Sequence, residues 1–247
     1  MEKNGIWTEL VEVRASEVDS LRRMRPTSMC NLLQETAGKH ANYRKIGFRE
    51  MKAMNRFWAL SRLRLQIDRD PHWEERVRID TWVSSMRGPF SIRNFSLMKA
   101  DGSVTFASAS TMWTCVDAEK RRPARLDAGD FPVLADSPPA CGEPEKINIE
   151  KRGRPVFTTT VRYSDIDMVG HVNNVQYVTW IMDSYGAENE SKELAVLEVN
   201  YLGETLLGEL VEVCRRSLGD GIDRHLILSG DSDREVIRAQ LKWASGG

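Results

Sequence analysis

The part of the sequence best suited to chemistry is a short polar stretch, residues 163–174, which holds two acids, an imidazole and two amides. Asp167 and His171 are four residues apart, and an acid beside an imidazole is a pair that serves acid–base or nucleophilic catalysis. An imidazole changes its protonation state near neutral pH, so His171 could hold and release a proton. Gly170 permits backbone angles that other residues avoid and a close approach by a substrate.

Structural roles are open to the same residues. An Asp ahead of a helix commonly closes a turn rather than catalysing a reaction, and Asp165 is a weaker candidate than Asp167. Asn173 and Asn174 should supply one helix cap and one residue for binding, and Asn174 is the predicted N-cap. A histidine on an apolar helical stripe, His40, is interpreted as structural.

The elements that flank this stretch suggest which reaction it could assist. A predicted strand at 155–163 precedes it, and a predicted helix from Asn174 to about residue 187 follows it. A turn from strand to helix offers backbone N–H groups and the positive end of a helix dipole, which can stabilise charge on a carbonyl oxygen under attack. The stretch therefore predicts a site where a carbonyl carbon is attacked.

The remainder of the chain repeats one order of elements. In the first copy, apolar residues recur with helical spacing between Met29 and His40. Period-two alternation predicts strands at 63–67, 77–83, 90–98 and 103–116, and strands of the second copy at 194–201, 209–217, 224–228 and 235–243. Most of the nine prolines fall near 121–154, which indicates a linker. We predict an α+β fold in which a curved antiparallel sheet wraps a central helix, with domains at 1–120 and 155–247.

Composition excludes several classes of protein. The formal net charge of −1 over 247 residues gives no overall field that would attract nucleic acid. No apolar run approaches the roughly 18 residues that span a membrane, and the acidic start does not resemble a secretory signal, so we expect a cytoplasmic protein. The four cysteines are scattered without metal-ligand spacing, so no disulfide framework, metal site or cofactor is predicted.

The pattern Asp-x-Asp-x-x-Gly-His-Val-Asn-Asn at 165–174, followed by Val-Gln-Tyr, resembles the signature of hotdog-fold thioesterases. Three further segments, 31–40, 68–73 and 79–83, are similar to the N-terminal half of fatty acyl-ACP thioesterases of plants and bacteria. The similarity covers nearly all of the chain outside the linker. It implies a double hotdog that hydrolyses acyl-ACP to free fatty acid and acyl carrier protein (ACP), which ends chain elongation in fatty acid biosynthesis.

The resemblance also implies roles for individual residues. Asp167 and His171 match the catalytic acid and histidine of the family, in the C-terminal hotdog, whereas the first copy has no such pair and would bind the acyl chain. The residues assigned to substrate binding around the turn are Val169, Gly170, Asn173 and Asn174. This chain departs from the family at Val169, where an Asn is usual, and by lacking the family's Glu-Cys pair. Glu204 is the expected second carboxylate, with Glu209 as its competitor.

The implied mechanism uses Glu204 or Asp167 to activate water or to attack the thioester carbon. His171 and backbone N–H groups at the helix start would stabilise the oxyanion. The acyl chain is expected beside the first helix, where the candidate lining residues, each of which could equally be plain core, are Met29, Leu33, Trp58, Leu63 and Trp82. A basic surface for ACP could be formed by Arg121, Arg122 and Arg125, or by Arg152 and Arg154.

Two other functions remain open at this point. A hotdog acyl-CoA thioesterase would share the turn at Asp167 and prefer CoA over ACP as the carrier. A catalytically silent protein that binds acyl thioesters is also compatible with Val169 at the usual Asn position. The sequence does not fix the length or saturation of the acyl chain, nor whether two copies form a homodimer.

Overall fold

A computed structural model describes residues 1–126, 133, 140–230 and 233–244 of the chain. It divides into two compact units, Met1–Pro144 and Glu145–Gly247. The predicted linker, 121–154, includes residues 127–132 and 134–139, which lie outside the described residues. No helix in the described ranges is long and apolar enough to cross a membrane.

The described residues of the first unit form two α-helices and an antiparallel sheet with the strand order β1-β2-β4-β5-β6-β3. A short strand, β7, pairs antiparallel with the C-terminal end of β6. In chain order the elements are β1 (Glu2–Lys3), β2 (Ile6–Glu12), α1 (Pro26–Tyr43), α2 (Phe48–Ala53), β3 (Arg56–Ile67), β4 (Arg76–Arg87), β5 (Phe90–Lys99), β6 (Thr105–Asp117) and β7 (Arg122–Pro123).

The helix α1 forms where its apolar spacing predicts it, with Pro26 at its first position, where the missing N–H costs no helical hydrogen bond. Its buried face comprises Met29, Cys30, Leu33, Thr36, Ala37 and His40. The sheet offers small residues, Ala107 and Ala109, which pair with Ile67 and Leu65 and are fully buried. Burying this face against a sheet, at roughly 25 cal/mol for each Å² of apolar surface removed from water, stabilises the unit.

The helix ends in a buried polar cluster. His40 is completely buried, and its Nδ1 lies 2.9 Å from Nη1 of Arg93 on β5. Its Nε2 lies 3.5 Å from Oε2 of Glu2, which also contacts Arg44. Burial, together with the nearby guanidinium groups, lowers the pKa of His40 to about 3, so the ring stays neutral. This neutral ring between a carboxylate and a guanidinium supports a structural role for His40.

The second unit repeats the first with the same sheet order, β9-β12-β11-β10-β8, for strands that correspond to β3-β6-β5-β4-β2. Its one α-helix within the described residues, α3, corresponds to α1. The elements are β8 (Arg154–Thr160), α3 (Asn174–Asp183), β9 (Leu194–Tyr201), β10 (Leu210–Gly219), β11 (Ile222–Ser229) and β12 (Arg234–Trp243). The α+β class predicted from the repeated pattern is therefore confirmed.

The start of α3 differs from the prediction by one residue. Asn173, and not Asn174, is the N-cap, because its side-chain oxygen accepts the N–H of Val175 at 2.9 Å. Asn174 is the first residue inside the helix. Either Asn side chain could cap a helix, and the hydrogen bonds of the preceding turn determine which of the two residues occupies the N-cap position. Prediction of Asn174 as the cap was therefore wrong.

Candidate active site

The polar stretch folds into two consecutive tight structures between β8 and α3. The first is a single 3-10 turn, Tyr163–Asp165, in which the Asp165 carboxylate accepts the N–H of Arg162 at 2.7 Å. The Asp165 carbonyl accepts the N–H of Asn173 at 2.9 Å, which ties this turn to the start of α3. Asp165 is buried, so it serves the structure of the turn.

The second structure is the loop from Asp167 to His171, closed by hydrogen bonds at both ends. Oδ1 of Asp167 accepts the N–H of Val169 at 2.9 Å and that of His171 at 3.4 Å. The N–H of Asp167 in turn donates to the carbonyl of His171 at 2.8 Å. Gly170 has a φ of +88°, a left-handed value that disfavours any residue with a side chain. The loop therefore fixes the backbone of His171 through the Asp167 carboxylate.

The imidazole of His171 faces Glu204 across this loop. Nε2 of His171 lies 3.5 Å from Oε2 of Glu204, and the two side chains are 31% and 39% exposed. Glu204 lies in the loop between β9 and β10, and the next residue, Thr205, accepts the N–H of Val172 through its carbonyl at 3.0 Å. The fold thus brings together an acid and an imidazole 33 residues apart, at a place that solvent and substrate can reach.

Glu209, the competing carboxylate, has other partners. Its Oε2 accepts the hydroxyl of Ser229 at 2.5 Å and contacts Nη2 of Arg234 at 3.2 Å. Arg234 also donates to the carbonyl of Glu204 at 2.8 Å. Glu209 therefore contributes to the frame of the loop, while Glu204 is the acid beside His171.

The backbone N–H groups of the five residues ahead of α3 all have hydrogen-bond acceptors within the protein. The N–H groups of residues 169–171 all donate to Asp167. The N–H groups of Val172 and Asn173 donate to the carbonyls of Thr205 and Asp165. No backbone N–H of this five-residue segment remains to stabilise an oxyanion. This segment lies ahead of α3, so its occupied N–H groups supply no oxyanion hole, and the expected stabilisation by N–H groups at the helix start stays a prediction.

The substrate-binding candidates around the turn have different surroundings. The Val169 side chain is 49% exposed, so it can meet a substrate as an apolar surface. Asn173 is engaged as the helix cap, and the carbonyl of Asn174 accepts the hydroxyl of Tyr201 at 3.4 Å. Gly170 has no atom within 4 Å of the position a Cβ would take, which leaves open space above the loop.

The candidates for lining an acyl pocket lie in the first unit and are more enclosed. Met29 and Leu33 are 0% and 2% exposed, so both are packed as core. Trp58 is half-buried beside a cluster that includes Met51 and Cys115, and its ring nitrogen donates to the carbonyl of Ile46 at 3.1 Å. Trp58 is therefore the one of these three with surface open to a ligand. Leu63 is core and Trp82 is half-buried.

The cysteine thiols are poorly suited to act as nucleophiles, because the pKa of each is raised. Cys30, Cys115 and Cys214 are buried, and burial raises the pKa of each thiol, that of Cys30 to about 12. Burial also raises the pKa of Cys141. Within the described ranges no group of three or more His, Cys, Asp or Glu side chains could hold a metal ion.

Three residues near the acid–imidazole pair were not singled out from the sequence: Tyr177, Thr205 and Arg234. Tyr177 follows the recognised motif and carries a hydroxyl on an otherwise apolar face of α3. That lone polar group at a buried helical position is a signal that could have indicated a partner. Nothing in the local sequence distinguishes Thr205 or Arg234.

Both units of the chain match models of one protein family. The family models for the N-terminal and C-terminal domains of acyl-ACP thioesterase match residues 5–129 and 151–245. A palmitoyl-acyl carrier protein thioesterase of Gossypium hirsutum is 26% identical over 96% of this chain, and an oleoyl-acyl carrier protein thioesterase of Arabidopsis thaliana is 27% identical over 83% of it. The chain spans 63% and 62% of the length of these two relatives.

Solved structures agree with the sequence relatives. An acyl-ACP thioesterase from Bacteroides thetaiotaomicron is 27% identical, with a TM-score of 0.91 over 98% of both chains. A 12:0-ACP thioesterase from Umbellularia californica, at 19% identity, shares the fold with a TM-score of 0.81 over 99% of this chain and 98% of its own. The predicted double hotdog is thereby confirmed. With both of its units matched by the family models, the chain belongs to the acyl-ACP thioesterase family.

Proposed function

We propose that this protein hydrolyses acyl-ACP thioesters to a free fatty acid and ACP. The observation that carries the proposal is the accessible pair of His171, on the turn that resembles the family signature, and Glu204, on the β9–β10 loop, with Nε2 and Oε2 3.5 Å apart. The relatives named above are thioesterases for palmitoyl, oleoyl and 12:0 acyl groups on ACP.

In the proposed mechanism, His171 is the general base and Glu204 its charged partner. A proton on Nε2 faces Glu204, so Nδ1 carries the lone pair that takes a proton from water. The resulting hydroxide attacks the thioester carbon. The carboxylate of Glu204 stabilises the imidazolium that forms, in the manner of the acid in a catalytic triad. These roles differ from those implied by the resemblance, in which Glu204 or Asp167 activates water or attacks the thioester carbon and His171 stabilises the oxyanion.

The same imidazolium completes the reaction. The tetrahedral intermediate collapses, the C–S bond breaks, and the sulfur leaves as a thiolate that takes the proton from Nδ1. One water and one thioester thus give one carboxylic acid and one thiol. A thiol with a reference pKa of about 8.5 is a good leaving group, so a weak acid suffices.

Asp167 acts through the backbone in this proposal. Its Oδ1 is committed to the N–H groups of Val169 and His171, which orients the loop that presents the imidazole. Hydrogen bonds to a charged acceptor contribute roughly 1.5–3 kcal/mol each, enough to hold a short loop in one conformation. Asp167 is therefore a positioning residue, and its removal would displace His171.

The carrier is expected to dock on exposed arginines. Arg122 and Arg125 are exposed in the first unit. Arg152 is less suitable, because its guanidinium contacts Glu212 and donates to Asp233 at 2.9 Å, which neutralises its charge locally. ACP is acidic, so an uncompensated basic surface would speed its association. We assign the docking surface to Arg122 and Arg125.

The test is a thiol-release assay with one acyl group carried by ACP and, separately, by CoA. We expect release from acyl-ACP with a kcat/KM at least about tenfold above that for acyl-CoA, and loss of about 10²-fold in the folded His171→Ala variant. A higher kcat/KM for acyl-CoA would make the protein an acyl-CoA thioesterase. Tight binding of acyl-ACP without thiol release would make it an acyl-thioester-binding protein.

A further inference from the structure

The loop that carries Glu204 is held by hydrogen bonds along its length, one of them from Arg234 to the carbonyl of Glu204 at 2.8 Å. It joins β9 to β10 without strand pairing, and its residues on either side of Glu204 and Thr205 are open to solvent, with Leu206 and Leu207 exposed by 48% and 61%. Thr205 is the one buried residue among residues 202–209, all of which the structure describes. Thr205 is therefore the buried anchor of this loop, next to Glu204 in the chain.

Thr205 connects this loop to two residues that follow His171 in the chain. Its carbonyl accepts the N–H of Val172 at 3.0 Å, and its hydroxyl accepts the hydroxyl of Tyr177 at 2.9 Å. Val172 follows His171, and Thr205 follows Glu204. The imidazole and the acid are thus each one residue from the same hydrogen-bonded junction, and a shift of Thr205 would move one relative to the other.

Tyr177 is itself held rigidly. It lies on α3 with 2% of its surface exposed, and its ring meets that of Trp180 edge-on at 5.4 Å and that of Tyr201 at 6.4 Å. Burial raises the pKa of Tyr177 to about 12, so the phenol keeps its proton and remains a donor. A buried hydroxyl on a packed helix is a fixed point to which a solvent-exposed loop can be attached.

We propose that Tyr177 is a positioning residue that acts through the Thr205 hydroxyl to hold the Glu204 carboxylate against the His171 imidazole. The inference rests on the proposed function, since it concerns the geometry of the same pair. A displacement of about 1 Å in a reacting group can cost up to 10²-fold in rate. Loosening the loop at one of its anchors should therefore lower kcat about tenfold.

The experiment compares two buried tyrosines of the second unit. Tyr177→Phe keeps the ring and removes the hydroxyl, and Tyr185→Phe does the same at a tyrosine whose hydroxyl donates to Asp223 at 2.9 Å, away from the pair. We expect Tyr177→Phe to lower kcat on acyl-ACP about tenfold with KM within about twofold, and Tyr185→Phe to leave both within about twofold. Thr205→Val should reproduce the loss, and Thr205→Ser should restore most of the activity.

A double-mutant comparison tests whether Tyr177 acts through Glu204. In the Glu204→Gln background, Tyr177→Phe should change kcat by less than about twofold, because the group it positions is already altered. A kcat within twofold of wild type for Tyr177→Phe, or an equal tenfold loss in both backgrounds, would overturn the proposal.

A spectroscopic readout separates this inference from the function itself. The ring ¹⁵N resonances of His171 should shift in Tyr177→Phe and stay in place in Tyr185→Phe, whether or not the substrate is turned over. A wild-type protein that is inactive on every acyl-ACP would refute the proposed function alone. Unchanged His171 resonances in Tyr177→Phe would refute the positioning role.

Discussion

Replacing Glu204 by Gln is the sharpest test of how the acid–imidazole pair works. The substitution keeps the shape of the side chain and removes its charge. In the proposed mechanism that charge stabilises the imidazolium of His171, whose Nε2 lies 3.5 Å from the carboxylate oxygen. The loss of rate should therefore equal the lost electrostatic stabilisation, and not the loss of a reacting group.

The distance gives the size of the effect. At 3.5 Å, Coulomb's law gives about 1.2 kcal/mol in bulk water and about 4.7 kcal/mol at an effective dielectric constant of about 20. The side chains of His171 and Glu204 are 31% and 39% exposed, so solvent screening keeps the value near the lower figure. Taking about 1–2 kcal/mol, with about 1.4 kcal/mol for each factor of ten, predicts a fall in kcat of roughly 5–30-fold.

The assay is steady-state thiol release from one acyl-ACP, with Glu212→Gln as the matched variant. Glu212 lies on β10 and contacts Arg152, so its kcat should stay within about threefold of wild type. A Glu204→Gln enzyme with unchanged kcat would show that the pair has no catalytic role. A loss beyond about 10³-fold would make Glu204 the base or the nucleophile itself, and the roles assigned here would be reversed.

Three further predictions concern the turn, a buried histidine and the carrier surface. Gly170→Ala should cost about 1 kcal/mol of stability, because its φ of +88° disfavours a side chain although the space is open, and should lower kcat by displacing His171, as measured by urea unfolding and thiol release. Burial lowers the pKa of His225 to about 3, whereas in the unfolded chain the same ring takes up a proton near pH 6.5. Wild-type stability should therefore fall as the pH drops from 6.5 to 3, and His225→Leu should reduce this fall by up to about 1.4 kcal/mol per pH unit, as measured by urea titrations. Arg122→Glu with Arg125→Glu should raise KM for acyl-ACP severalfold at unchanged kcat, in the same kinetic assay, because repulsion from the acidic carrier opposes docking.

Each of these predictions has a control or a contradicting result. Gly219, with a φ of +87° and equally open surroundings in the β10–β11 turn, should lose the same stability on substitution by Ala but keep its kcat. A pH dependence that is identical in wild type and His225→Leu would mean that the buried ring is protonated in the folded protein. An equal rise of KM in Arg152→Glu would contradict the assignment of the docking surface, since Arg152 is paired with Glu212 and Asp233.

Much of the fold could be predicted because its elements carry strong periodic signals. The stripe from Met29 to His40 and the alternation of β3 to β6 and β9 to β12 each reflect one buried face, which sequence spacing records directly. The helix α2, Phe48–Ala53, was not predicted, because six residues are too few to show a helical period. The strand β2, Ile6–Glu12, was also missed, since it is half-buried and carries no fully buried residue to mark a face.

The site was predictable only in its local half. Asp167, Gly170 and His171 share one turn, and their proximity follows from their spacing. The partnership of His171 with Glu204 depends on a loop 33 residues later, and no local pattern distinguishes Glu204 from Glu209. The acceptors of the backbone N–H groups of residues 169–173 could not be predicted from the sequence either. The same N–H groups could close a tight turn or stabilise an oxyanion, and only the hydrogen-bond geometry shows that they close the turn.

The burial of the thiols has a practical consequence for measuring this protein. A thiolate, and not a thiol, reacts with aromatic disulfide dyes, and Cys30, Cys115 and Cys214 are both buried and raised in pKa. These three thiols should therefore contribute little colour in the folded protein, which leaves the half-buried Cys141 as the background when such a dye follows the thiol liberated on ACP. A slow additional increase in dye-reactive thiol would then report unfolding of the protein. A single assay would therefore follow turnover and unfolding together.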